Sequence, residues 1–119
     1  MRNIDSLKNT SEFKEVYEKG TSKANKLLVL YVLEKEGGKK LGISASKKIG
    51  NSVVRHRTVR LIRNSYLAVK DRLPENCRLV VVARPAIAGT KHPEVENALL
   101  HLCRLHKLIK QCLKKFSLH

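Results

Sequence analysis

The chain has 119 residues, 42% of them hydrophobic, and carries 25 Lys/Arg against 10 Asp/Glu, for a formal net charge of +15 and a pI near 10.1. That length suits one domain spanning residues 1–119 around one core, and that charge suits a polyanion, whose phosphates replace self-repulsion with attraction. No run approaches the roughly 20 apolar residues of a membrane-spanning helix, and with Trp absent and Phe only at 13 and 116 the chain also lacks the anchors of a membrane-surface protein.

In chain order, Asn9 followed by Glu12 has the spacing of a capping box, and Gly20 sits where a C-terminal glycine ends a helix, which predicts a helix over 10–19. The apolar run Lys26–Leu33 and the alternating Leu41, Ile43 and Ala45 flank the break Glu36-Gly37-Gly38-Lys39, which predicts two strands joined as a hairpin. Asn51 can cap a helix running to about Arg72, stopped by Leu73-Pro74-Glu75-Asn76. Arg78–Ala83 reads as a buried strand closed by Pro85. Pro93 opens a last helix whose Val95, Leu99, Leu102, Ile109, Leu113 and Phe116 recur at helical steps. Without repeats or linkers, this order predicts an α/β layer sandwich.

Residues 37–70 hold nine Lys/Arg and no Asp or Glu. On a wheel turning about 100° per residue from Arg55, Val54, Thr58, Leu61, Ile62 and Val69 fall between about 240° and 340°, whereas Arg55, His56, Arg57, Arg60 and Arg63 fill about 0° to 200°. A merely solvated face would mix in Glu for i,i+4 pairs, and this one has none. An arginine fork grips phosphate oxygens in pairs and stacks on bases, so the set is a candidate nucleic-acid face. Lys47 and Lys48 precede the N-terminus of this helix, where free N–H groups also favour a phosphate.

Chemistry by the protein itself finds little support. No HExxH, paired-carboxylate motif or nucleophile-base set is evident, which leaves no catalytic residue to name. Cys77, Cys103 and Cys112 form no CxxC pair and read as core thiols, while His101 and His106 are five apart and project differently, so no metal ligand set is expected. The chain is expected in the cytoplasm, given no apolar run after Met1-Arg2-Asn3.

The stretch Leu41-Gly42-Ile43-Ser44-Ala45-Ser46-Lys47-Lys48-Ile49-Gly50-Asn51-Ser52-Val53-Val54-Arg55-His56-Arg57-Thr58-Val59-Arg60-Leu61-Ile62-Arg63 resembles the signature of the bacterial ribonuclease P protein subunit. Ser11–Tyr17 with Lys19-Gly20, Val29-Leu30-Tyr31 and Val80–Pro85 extend the resemblance in family order over roughly residues 5 to 110. It implies an α-β-β-β-α-β-α two-layer sandwich with a central mixed sheet and a left-handed βαβ crossover, where the general rule is right-handed. It also implies a small protein joined to a catalytic RNA, the pair removing the 5′ leader of precursor tRNA. In such a ribonucleoprotein the RNA and its Mg²⁺ ions hydrolyse the phosphodiester, the protein binding no metal stably and needing no protein partner. By position, Lys47, Lys48, Asn51, Arg55, His56, Arg57, Arg60 and Arg63 would face the catalytic RNA, and Phe13, Tyr17, Lys26 and Tyr31 would line a cleft for the single-stranded leader.

From the residues alone, Phe13 and Tyr17 could equally pack as an i,i+4 core pair. Two positions depart from the family pattern, His56 standing for Asn and Val59 for Lys; Val59, at about 40°, falls inside the basic arc of the wheel. The alternative functions are a ribosome-associated or general RNA-binding protein using the same helix, a DNA-binding helix, and a stand-alone nuclease. A DNA reader lacks a helix-turn-helix or zinc pattern, and a nuclease would cut RNA without an RNA partner.

Overall fold

The computed structural model describes residues 6, 7 and 9–108. Its elements are α1 (Thr10–Lys19), β1 (Thr21–Ala24), β2 (Leu28–Glu34), β3 (Lys40–Ser44), α2 (Ser52–Val69), β4 (Cys77–Ala83) and α3 (His92–Leu105). Single 3-10 turns follow α2 at Lys70–Arg72 and β4 at Pro85–Ile87. This is the expected α-β-β-β-α-β-α order. Ile109, Leu113, Phe116 and Cys112 lie outside the described residues.

Local chemistry sets the helix ends. The Asn9 side chain accepts from the Glu12 N–H at 3.0 Å while Glu12 reaches back to the Asn9 N–H at 3.4 Å, closing the capping box ahead of α1. Gly20 ends α1, but with φ at −84° it is extended rather than left-handed. Glycine is needed there for room, since a Cβ would lie 2.6 Å from the carbonyl oxygens of Val16 and Val32. The Asn51 side chain accepts from the Val54 N–H at 3.0 Å and starts α2. Pro93 stands in the first turn of α3, where the Lys91 N–H donates to Glu94 at 2.9 Å.

The four strands form one mixed sheet in the order β1-β2-β4-β3, with β3 and β4 parallel and the other neighbours antiparallel. The predicted hairpin between the strands at 26–33 and 41–45 does not exist, because β4 lies between them. The reason is burial: Cys77–Val81 is covered without a break, so β4 takes an interior position and needs a partner on each edge. The segment after β2 wraps the start of β4 instead, Lys35 N–H donating to the Asn76 carbonyl at 3.2 Å and Gly38 N–H to its side chain at 3.2 Å. The hairpin partner of β2 is β1, whose Thr-Ser-Lys-Ala is exposed at every residue and carries no hydrophobic signal.

Helices α2 and α3 make the second layer of the sandwich. Ile62, Tyr66 and Val69 of α2 and Val95, Leu99 and Leu102 of α3 bury against Leu28, Leu30, Leu79 and Val81. Each such side chain contributes about 1.5 to 3 kcal/mol when fully buried. The opposite face of the sheet is covered only in part, by α1, whose Val16 and Phe13 join Leu7, Tyr31, Leu33, Val80 and Val82 in a smaller cluster. That half-covered face and the outer face of α2 are the two surfaces the fold offers.

Candidate nucleic-acid interface

The inner arc of α2 is buried as the wheel requires, with Thr58, Ile62 and Val69 inaccessible and Val54 and Leu61 packed at the margin. Thr58 and Ser65, polar within that arc, return their hydroxyls to the carbonyls of Val54 and Leu61 at 2.9 and 2.8 Å, so neither needs solvent. On the outer face His56, Arg57, Arg60 and Arg63 are exposed and Arg55 is half-buried. The Arg57 guanidinium donates to the Thr90 carbonyl at 2.8 Å, which aims it toward the entry to α3. Lys47 and Lys48 are exposed in the β3–α2 connection, next to Asn51 at the helix start.

The acids that form ion pairs do so elsewhere. Glu12 sits 3.7 Å from Lys40 and 3.9 Å from Arg78, and Lys35 bonds Glu15 at 2.8 Å, which holds the Glu15 carboxyl below its usual range. Among the described residues no ion pair reaches Lys47, Lys48 or the arginines of α2. No carboxylate therefore neutralises these cations ahead of a phosphate.

The second surface is a groove. Strand pairing places Gly42, Val80, Tyr31 and Ser22 in one row across the half-covered face, and Ser44, Val82, Val29 and Ala24 in the next. Phe13 lies over the first row at Gly42, where a Cβ would come within 2.7 Å of its ring. Tyr17 follows one turn later, its ring 6.4 Å from Phe13 and 4.8 Å from Tyr31. Burial pushes the Tyr17 phenol up, opposed by the Ser44 hydroxyl it bonds, so Tyr17 is a neutral donor and ring wall at physiological pH. Beyond Tyr17 the second row lies open, with Val29 and Val82 as an apolar floor. Lys26 is exposed in the β1–β2 turn at that open end.

Phe13 is both core and wall: it belongs to the small cluster and also lines a cleft of about 180 Å³ with Leu7, Leu41, Val59 and Arg63. Val59 is accordingly not a member of the exposed basic arc. It is half-buried and faces that cleft beside the β3 edge, which a wheel of the isolated helix does not show. Arg63 lines the same cleft, which brings the arginine face up to Phe13 at the edge of the aromatic groove.

The ribonuclease P family model matches residues 1–107. The chain belongs to the ribonuclease P protein family. It is 49% identical over 106 residues to the ribonuclease P protein component of Lachnoclostridium phytofermentans, covering 88% of this chain and 91% of the relative. It is 41% identical over 110 residues to that of Alkaliphilus metalliredigens, covering 92% and 99%. The Staphylococcus aureus RNase P protein superposes with a TM-score of 0.82 at 29% identity, over 91% of this chain and 100% of that one. The Thermotoga maritima RNase P protein, at 23% identity and a TM-score of 0.75 over 87% and 97%, shares the fold. The chain is thus a ribonuclease P protein component, part of a tRNA-processing ribonuclease and a partner of its RNA.

In a ribonuclease P protein the remaining reactive groups are structural. Cys77 and Cys103 are buried free thiols, and burial pushes Cys103 up to about 12. His106 ties α3 to the sheet, its Nε2 donating to the Leu30 carbonyl at 2.9 Å, while His101 meets the Asn25 side chain at 3.2 Å. Among the described residues no three His, Cys, Asp or Glu side chains group to hold a metal, and no helix is long and apolar enough to cross a membrane. Sequence reasoning missed Arg78. The alternation Arg78-Val80-Val82 on one strand was the signal that places Arg78 on the α1 side of the sheet, where it meets Glu12.

Proposed function

We propose that this protein binds the catalytic RNA of ribonuclease P through the outer face of α2, with Lys47, Lys48 and Asn51 beside it, and holds the 5′ leader of precursor tRNA in the groove between α1 and the sheet. The observation that carries this reading is the approach of an acid-free arginine helix, at Arg63, to Phe13, which stands at the edge of the aromatic groove. Arginine forks supply phosphate contacts without sequence preference. Tyr17 and Tyr31 offer rings on which any base can stack, as a protein serving many precursors requires.

Cleavage is the work of the RNA. Mg²⁺ held mainly by RNA would activate water and neutralise the developing charge, and the protein's donor set fits that division of labour, being rich in cations and poor in grouped carboxylates. The contribution of the chain is to bind and orient: α2 fixes the protein on the catalytic RNA, and the groove holds the leader, adding affinity for precursor over mature tRNA. A cytoplasmic location goes with this role.

The test is cleavage of precursor tRNA by a bacterial ribonuclease P RNA at low Mg²⁺, with and without the protein, beside a protein-only control. Cleavage that needs both components is expected. Failure to stimulate cleavage while RNA binding is intact would leave a general RNA-binding protein, and cleavage by the protein alone would make it a nuclease.

A further inference from the structure

The outer edge of β3 is paired over only part of its length. Ser6 bridges Leu41 in parallel, and the Leu7 N–H donates to the Leu41 carbonyl at 3.0 Å, so Leu41 turns its peptide groups away from β4. Two residues on, the alternation of the strand turns the N–H and C=O of Ile43 the same way, while Ile43 itself stays in register with Val81. Among the described residues no backbone group bonds to that outward pair.

The unpaired edge opens into the cleft of about 180 Å³, which straddles the plane of the sheet. Phe13 and Leu7 stand on its α1 side, and Val59 and Arg63 on its α2 side. Phe13, Ile43 and Val59 are half-buried, and Arg63 is exposed at the rim. The volume is well below the roughly 300 to 1,000 Å³ of sites for drug-sized ligands. A flat group entering in the plane of the sheet would meet Ile43 edge-on, with Phe13 against one face and Val59 against the other. Tyr17 and Tyr31 do not line this cleft.

An unstacked base is such a group. It offers a donor beside an acceptor on its Watson–Crick edge, the complement of one N–H and one C=O, and two faces for aromatic and apolar contact. Charge favours a nucleotide over a peptide strand as the occupant. No carboxylate pairs with Arg63 among the described residues, and the acid-free face of α2 begins at the rim.

We propose that the cleft at the β3 edge takes one unstacked nucleotide of the catalytic RNA, its base between Phe13 and Val59 on the peptide edge of Ile43 and its phosphate on Arg63; the proposal rests on α2 facing that RNA. Phosphate contacts along α2 carry no sequence information, so a base held here lets the protein tell one place on a large RNA from the rest.

The experiment probes the Watson–Crick edges of a bacterial ribonuclease P RNA with dimethyl sulfate and a carbodiimide, free and bound to wild type, Val59→Ala or Val59→Phe, with no tRNA present. The Phe ring fills the cleft, and Ala leaves it open. One unpaired nucleotide should be protected by wild type and Val59→Ala and reactive with Val59→Phe, the other protections persisting, and Val59→Phe should bind about tenfold more weakly. A check on the wild-type protein does not depend on how the variants fold: an abasic residue at that nucleotide should weaken its binding about tenfold. Identical protection by all three proteins, no protected base, or an abasic RNA that binds wild type as the intact RNA does overturns the proposal while α2 stays on the RNA. So does a protection that appears only on the leader when precursor tRNA is added. Self-association of the free protein that Val59→Phe abolishes, read by sedimentation, gives the edge to a second copy and overturns it as well. Failure of wild type to bind the RNA at all overturns the reading of α2 itself.

Discussion

The ring of Tyr17 on α1 stands edge-on to the ring of Tyr31 on β2, with 4.8 Å between centroids and 78° between planes. Two elements separated in sequence by β1 are thereby joined without closing the face between them, because Tyr17 remains 39% exposed. An edge-to-face pair adds about 0.5 to 1.5 kcal/mol beyond area burial and still leaves a ring face for a base.

Tyr17→Ala should weaken holoenzyme binding of leader-bearing precursor tRNA by about 1 to 3 kcal/mol and leave mature tRNA unchanged. Anisotropy titrations with both RNAs check this, and equal losses for the two would remove Tyr17 from the leader site.

Arg60 is exposed on α2, and among the described residues no carboxylate pairs with it. Arg60→Ala should lower affinity for the catalytic RNA and reduce the slope of log K against log salt by about 0.7 to 0.9. Titration at several salt concentrations decides, and an unchanged slope would mean the side chain meets no phosphate.

Gly42 has no room for a side chain, since a Cβ would stand 2.7 Å from Phe13 and 3.0 Å from Leu7. Gly42→Ala is expected to destabilise the fold by about 1 to 3 kcal/mol. Adding Phe13→Ala should cost less than the sum of the two single changes, because the clash is relieved. Urea unfolding of the four proteins gives the coupling; strict additivity would show that the ring is not what the new methyl meets.

His106 is lowered from its ordinary range chiefly by burial, the bond to the Leu30 carbonyl acting the other way. The unfolded chain then takes up a proton at this residue before the folded one does, so stability falls as pH drops from about 6.5 toward the folded value and levels off below it. Thermal unfolding of wild type and His106→Gln between pH 7.5 and pH 5 should show a shallower decline in the variant. Parallel curves would assign the pH dependence to other groups.

The sequence revealed most where a pattern repeats within one element. The capping box at Asn9 and Glu12, the faces of α2 apart from Val59, and Pro93 at the start of α3 are all local, set by neighbours one to four residues away, and each stands as read. The signature from Leu41 to Arg63 was legible for the same reason. β1 was not visible to periodicity, since four exposed residues carry no hydrophobic signal, and only the family resemblance supplied a third strand ahead of α2.

By itself, then, the sequence determined the starts of the helices, the buried strand it read at 78–83, the cationic face and the family, because capping, periodicity and charge act over a few residues. The tertiary structure decided that β4 separates β2 from β3, that Val59 sits in a cleft rather than on the basic arc, and that Gly20 and Gly42 are glycine for want of space. It also brought Tyr17 to Tyr31. Those outcomes depend on which distant segments meet, and a helical wheel or a hydropathy run contains no term for a neighbour from another part of the chain.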